Sequence, residues 1–218
     1  MPFTGKRPRI LIADDHTLVA ELCKKTLESE FEVVGTVGDG HALIRSAEEL
    51  RPDVVVVDIA MPLLNGLDAG RQVKKRMPSV KVLYLTMSLD AHLAADAFRC
   101  GASGYLLKTS AASELVIAVR TVMRGTRYIS PSIAEETSNL LRFQSPRATN
   151  LDDRLTCRQR EVLQLLAEGK AMKEIGDILN LTSRTVAFHK YRIMEAIGAK
   201  NNADLVKYAI RNHVSATQ

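Results

Sequence analysis

Asp14, Asp15, Asp58, Thr86 and Lys108 carry side chains suited to one piece of chemistry. Each follows or ends a short apolar run: Ile10 to Ala13 before the two aspartates, Val54 to Val57 before Asp58, Val82 to Leu85 before Thr86, and Gly104 to Leu107 before Lys108. Three carboxylates brought to one place repel strongly, and only a cation among them makes the arrangement stable. Their donor atoms are hard oxygens, which points to Mg²⁺. A carboxylate nucleophile, a divalent cation, a hydroxyl donor and an ammonium together suit phosphoryl transfer, because such a site must position and neutralise a phosphoryl group.

The elements that would assemble these groups are legible between Arg9 and Arg124. The four runs above, with Phe31 to Val34, are short, apolar and bounded by Asp, Gly or Pro, as strands buried on both faces of a parallel sheet are. Stretches of helical spacing separate them, such as Leu18, Leu22 and Thr26, or Leu115, Val119 and Val122. Five βα units predict an α/β fold with a doubly wound, five-stranded parallel sheet, whose functional residues gather at the carboxyl ends of the strands. Met61-Pro62 would hold the loop after Asp58 in a fixed turn. His16 reads as a surface residue at a helix start, with no catalytic part.

The strand signal stops after Arg127. The chain of 218 residues accommodates two small domains, and the sequence divides into 1–127, a partly helical linker over 128–150 with two prolines, and an all-α domain over 151–218. Thr156 to Gln159 has capping-box spacing and opens a helix that Gly169 closes. A short helix over Lys173–Leu179, a turn at Asn180-Leu181-Thr182, and a longer helix from Ser183 to about Ile197 form a helix-turn-helix pattern, followed by a helix from about Asn202 to Asn212. Charge is uneven: residues 1–128 hold 17 basic and 15 acidic side chains, residues 155–218 hold 10 and 6. The rear domain is therefore the candidate for a polyanionic partner.

On the Ser183 helix, Val186, Ile193 and Ile197 form one stripe with His189 at its edge, while Arg184, Ala187, Phe188, Tyr191, Arg192 and Glu195 lie opposite. The chain has only five Phe and five Tyr, and two of these ten stand beside arginines on the outward face. A DNA groove would accommodate them, the rings against thymine methyls or sugars and Arg184, Lys190 and Arg192 on bases or phosphates. Val206, Ala209 and Ile210 on the last helix make a stripe that suits either pairing of two copies or the domain's own core.

At these positions residues 9–125 resemble the receiver domain of two-component response regulators, a flavodoxin-like fold, and residues 155–213 resemble the LuxR-type helix-turn-helix. Together they look like the NarL/FixJ family. The receiver resemblance rests on Asp14-Asp15, Asp58, Thr86, Tyr105 and Lys108. The second rests on Leu155-Thr156, Glu161-Val-Leu163, Gly169, Lys173-Glu-Ile175, Thr185-Val186, His189 and Ile193. The resemblance implies that Asp58 accepts a phosphoryl group from a histidine kinase, and that Asp15, Asp58 and the Ala60 carbonyl bind Mg²⁺ with Asp14 assisting through water. Thr86 and Lys108 would hold the phosphoryl oxygens, and Tyr105 would be a switch aromatic filling space that Thr86 vacates. It further implies major-groove contact with double-stranded DNA through Arg184, Thr185, Ala187, Phe188, Lys190, Tyr191, Arg192 and Lys200, by a homodimer paired through Val206, Ala209 and Ile210. The chain departs from the family in three places. Thr109 follows Lys108 where a proline is usual, Gly176 replaces an alanine at a cost in helix propensity, and Ala187 stands where many members have a contacting lysine.

Other classes are disfavoured. No apolar run reaches membrane-spanning length and residues 1–9 lack a secretory core, so a cytoplasmic protein without membrane contact is expected. Three scattered cysteines offer neither a disulfide framework nor zinc spacing. Gly35, Gly38 and Gly40 lack dinucleotide-binding spacing. Two alternatives remain: an aspartyl-phosphate phosphohydrolase, which would need an acid where Ala60 stands, and a binding module whose front domain is never phosphorylated.

Overall fold

The computed structural model describes residues 6–143 and 155–214, which fall into two compact units, Met1–Phe143 and Gln144–Gln218. In the first unit, β1 (Arg9–Ala13), β2 (Glu32–Val37), β3 (Val54–Asp58), β4 (Lys81–Thr86), β5 (Gly104–Leu107) and β6 (Tyr128–Ile129) make one sheet in the order β2-β1-β3-β4-β5-β6. Every pairing is parallel. The connecting helices are α1 (Thr17–Glu28), α2 (Gly40–Leu50), α3 (Gly66–Arg76), α4 (Ala91–Arg99) and α5 (Ala111–Met123), with α6 (Pro131–Phe143) after β6.

Side-chain alternation along the strands builds two cores. Leu11, Ala13, Val55 and Val57 point to a cluster that includes Leu43 of α2, Val73 of α3 and Phe98 of α4. Ile10, Ile12, Val54 and Val56 point the other way, onto Cys23 and Leu27 of α1 and Leu115 and Val119 of α5. Val54 to Val57 are at most 1% exposed, and each such valine contributes roughly 1.5–3 kcal/mol through its burial. That is why β3, carrying Asp58 at its end, is the fixed centre of the sheet.

The structure corrects three expectations. The sheet has six strands rather than five, since Tyr128 and Ile129 pair with Gly104 and Tyr105. The segment read as the first part of a linker belongs to the front unit: α6 packs along α4, with Ile133 buried and Leu141 against the same core. The rest of that linker, 144–150, and the expected domain start at 151 lie outside the described residues. Finally, Phe31–Val34 is not a strand buried on both faces. Phe31 is buried ahead of β2, which runs on to Val37 as a half-exposed edge with a partner on one side only.

The second unit consists, among the described residues, of α7 (Cys157–Ala167), α8 (Met172–Leu179), α9 (Ser183–Ile197) and α10 (Asn202–Arg211). The Thr156–Gln159 capping box opens α7, and Gly169 takes a left-handed φ of +79° just beyond its end. Asn180 turns the chain at φ 53°, and the Thr182 hydroxyl caps α9 by accepting from the Thr185 N–H. Gly176 is required rather than merely tolerated here. A Cβ on it would stand 2.6 Å from the Leu181 carbonyl oxygen, whose own N–H donates back to the Gly176 carbonyl at 2.8 Å. The propensity cost of that glycine is thus the condition for a close turn between α8 and α9.

Candidate functional site

Parallel register brings the acidic residues together. Ala13 pairs with Val57 and Asp58 with Leu85, so Asp14-Asp15, Asp58 and Thr86 emerge from three adjacent strand ends, and Lys108 follows β5 next to them. Gly66, which the sequence reading passed over, makes room for this: a Cβ there would fall 1.8 Å from the Asp58 carbonyl oxygen, and its N–H donates to the Ile59 carbonyl. The start of α3 therefore sits directly on the backbone of Asp58.

Asp14 and Asp58 are buried, and Asp15 is partly open. The Lys108 ammonium bridges the buried pair, with Nζ 2.8 Å from Asp14 Oδ2 and 2.9 Å from Asp58 Oδ2. Burial pushes the Asp58 carboxyl above its ordinary range, although Lys108 and the Ala60 N–H, which donates at 3.3 Å, pull it down. Burial opposes the charge on Lys108 in turn, but its hydrogen bonds and attraction to Asp14 and Asp58 hold it above the ordinary lysine value. Thr86 is buried and its Oγ1 accepts from the Ser88 N–H at 3.1 Å.

Ligand oxygens of Asp14, Asp15 and Asp58 and a nitrogen of His16 lie within 4.8 Å of one another. Three carboxylates against one ammonium leave an excess of negative charge, and the donor set fits a hard divalent cation. His16 is exposed at the start of α1, as expected, and it also reaches the acidic cluster. Its Nδ1 is 3.0 Å from Asp15 Oδ1 and its N–H donates to Asp14 Oδ1 at 2.9 Å, so it braces both aspartates at the start of α1. Tyr105 differs from expectation. Its ring is already fully buried and its hydroxyl donates to the Ser88 carbonyl at 3.2 Å. No vacated space is needed to bring it inward. Among the described residues no peptide bond is cis.

In the second unit, Val186 and Ile193 are buried while Arg184, Ala187, Phe188, Tyr191 and Arg192 are exposed, Phe188 at 60% and Tyr191 at 66%. Thr185 and Lys190 are half-buried and Lys200 is exposed. Arg192 pairs with Glu195 at 2.8 Å across one turn, an exposed bond worth at most about 1 kcal/mol that a phosphate would readily displace. The stripe on α10 resolves differently from its expectation. Ala209 is fully buried against the unit's own core, where α10 packs on α7, so it is not open to a second copy; Val206 is half-buried and Ile210 is 40% exposed. Among the described residues no helix is long and apolar enough to cross a membrane.

Residues 10–120 match the family described as the response regulator receiver domain, and residues 153–209 match the luxR family of bacterial regulatory proteins. The transcriptional regulatory protein LiaR of Bacillus subtilis is 34% identical over 208 residues, spanning 94% of this chain and 98% of LiaR. The oxygen regulatory protein NreC of Staphylococcus carnosus is 36% identical over 212 residues, spanning 93% and 97%. Among solved structures, RcsB of Salmonella typhimurium superposes with a TM-score of 0.63 at 26% identity, covering 95% of this chain and 99% of RcsB. RcsB bound to a promoter in the presence of the phosphomimetic BeF3⁻ gives 0.59 at 26% identity, covering 96% and 100%.

Proposed function

The chain belongs to the response-regulator family, a receiver domain followed by a LuxR-type DNA-binding domain, and on that premise we propose that Asp58 is its phosphoacceptor and α9 its DNA-reading helix. The observation that carries the reading is the Lys108 ammonium bridging Asp14 and Asp58 beside Thr86, a buried pocket with more carboxylate than its own cation neutralises. The donor is a phosphohistidine of a histidine kinase. An Asp58 oxygen attacks its phosphorus, the O–P bond of an acyl phosphate forms as the P–N bond breaks, and the imidazole leaves with the electron pair. Asp15, Asp58 and the Ala60 carbonyl, with Asp14 assisting through water, would hold Mg²⁺, which would neutralise charge on the transferring oxygens. Lys108 moves from carboxylate to phosphoryl oxygen, and the Thr86 hydroxyl donates to another. Thr86 thereby turns from Ser88, whose N–H it accepts from, to the phosphoryl group, and Ser88, whose carbonyl holds the Tyr105 hydroxyl ahead of α4, passes the change to that helix.

The rear domain reads the major groove of double-stranded DNA. Phe188 and Tyr191 contact bases or sugars, Arg184, Thr185, Lys190, Arg192 and Lys200 bond to bases and phosphates, and Ala187 gives up the contact a lysine would make. The DNA-bound form is a homodimer, as for RcsB described as dimers bound to DNA, with Val206 and Ile210 the groups on α10 open to pairing. The protein works in the cytoplasm, where kinase and DNA are both accessible. Intact-mass measurement after incubation with acetyl phosphate and Mg²⁺ tests the phosphoacceptor: the wild type gains one phosphoryl group and Asp58→Asn gains none. Equal labelling of both contradicts the assignment, and steady turnover of a phosphate ester favours a phosphohydrolase.

A further inference from the structure

Ser130 lies outside the acidic pocket, yet it is fully buried and bonded to both β5 and α5. Its N–H donates to the Tyr105 carbonyl at 3.0 Å, closing the pairing of β5 with β6. Its Oγ accepts from the Leu107 N–H at 3.1 Å and donates to Glu114 Oε2 at 2.8 Å. Glu114, in the first turn of α5, also accepts from the Tyr128 hydroxyl at 2.9 Å.

The geometry has a physical reason. β6 is two residues long and its register with β5 ends at Tyr105 and Ile129, so no β6 carbonyl is in register for the Leu107 N–H two residues further on. Leu107 is 3% exposed, which denies that N–H a water in exchange. The serine hydroxyl stands in for the missing strand. A hydroxyl has one proton, and the Glu114 carboxylate, which only accepts, takes it; the lone pairs of Oγ are thereby turned to Leu107. Burial and the Glu114 charge both keep Tyr128 protonated, so it remains a donor to the same carboxylate. Leu107 is the residue before Lys108, whose ammonium spans two carboxylates and whose following residue, Thr109, brings no ring to stiffen the loop.

We propose that Ser130, oriented by Glu114, is a positioning residue for Lys108: it fixes the end of β5 so that the ammonium is held at the phosphoacceptor carboxylate. The role in phosphoryl transfer rests on the phosphoacceptor reading of Asp58, whereas the placement of Lys108 is open to measurement without it. The test uses the full chain as wild type, Ser130→Ala, Ser130→Thr and Glu114→Ala, with circular dichroism as the check on folding. The first readout is the slowly exchanging Lys108 ammonium resonance in ¹⁵N-correlated NMR of unphosphorylated protein. The second is the rate of Asp58 labelling by acetyl phosphate at saturating Mg²⁺.

Ser130→Ala is expected to lose the resonance and slow labelling by about tenfold, through misplacement of a group that must meet the phosphoryl oxygens. Its Mg²⁺ affinity stays within about twofold of wild type, since Ser130 touches no ligand carboxylate and distant sites act independently. Ser130→Thr keeps the hydroxyl and retains both readouts, which a role in mere filling of space would not reproduce alongside the alanine loss. Glu114→Ala, which leaves the Leu107 partner but frees its rotor, broadens the resonance and slows labelling by a few-fold; it decides the matter if Ser130→Ala does not fold. A folded Ser130→Ala or Glu114→Ala with unchanged resonance and rate overturns the proposal. A wild type that takes up no phosphoryl group refutes the Asp58 reading instead, and the resonance still decides what Ser130 does.

Discussion

The acidic pocket and the outward face of α9 solve the problem of holding charge in opposite ways. In the pocket, Asp14 and Asp58 are buried and share the partly buried Lys108 ammonium within about 3 Å, with Ser88, Ala60 and His16 supplying hydrogen bonds around them. On α9, Arg184, Phe188, Tyr191 and Arg192 stand in solvent, and Arg192 pairs there with Glu195 across one turn. A buried set must have its charge offset by its own groups or by a bound cation, so its structure encodes its chemistry. An exposed set is stable without a partner, so its structure encodes only what it can reach.

Breaking each region should therefore have different consequences for the fold. Lys108→Ala leaves two buried carboxylates without their cation and is expected to cost about 3 kcal/mol of stability, measured by urea denaturation, with added Mg²⁺ restoring part of the loss. Phe188→Ala, by contrast, should weaken DNA binding by about 1–2 kcal/mol in a fluorescence anisotropy titration while moving the denaturation midpoint little. A stability loss at Phe188 as large as that at Lys108 would erase the distinction. Asp58→Asn should raise stability by about 1 kcal/mol while abolishing labelling, because burial already disfavours the charge there.

The sign of the pH dependence follows from the same shift. A carboxyl whose folded-state pKa is raised contributes stability below its unfolded value and loses it as pH rises through the folded one, so ionised Asp58 is a cost to the fold at neutral pH. In metal-free protein the stability advantage of Asp58→Asn over wild type, measured by urea denaturation, should therefore shrink on acidification, and an advantage that stays the same at every pH would contradict a desolvated Asp58. The smallest effect contrasts the cysteines of the two units. Burial pushes Cys23 up to about 11 while Cys157 is exposed, so iodoacetamide at neutral pH modifies Cys157 first and leaves Cys23 intact until the front unit unfolds.

The two regions were also unequally legible. Asp14, Asp15, Asp58, Thr86 and Lys108 were readable because each ends an apolar run, and parallel strands with their ends aligned can only deliver such residues to one edge. What the pattern did not carry depends on contacts made in three dimensions. β6 is too short to give a period, and α6 has the polar run Glu135 to Asn139 between its buried Ile133 and the packed Leu141; its place is set by α4, not by its own composition. His16 has the right type, but its approach to Asp15 comes from the turn into α1. Gly66 and Gly176 look like ordinary helix glycines until a carbonyl oxygen is found within 2.6 Å of where a Cβ would be. On α10, Ala209 and Ile210 are adjacent in sequence, and only packing against α7 separates the core residue from the open one.

The proposed function joins the regions, with phosphorylation of Asp58 proposed to govern how α9 engages DNA. Its direct test is the DNA affinity of the full chain at fixed salt, on its own operator and on random sequence, with and without acetyl phosphate and Mg²⁺. Tighter operator binding by the phosphorylated wild type, with no response from Asp58→Asn, is the predicted result. Equal affinities for wild type and Asp58→Asn under phosphodonor, with Asp58 labelled in the wild type, would contradict it.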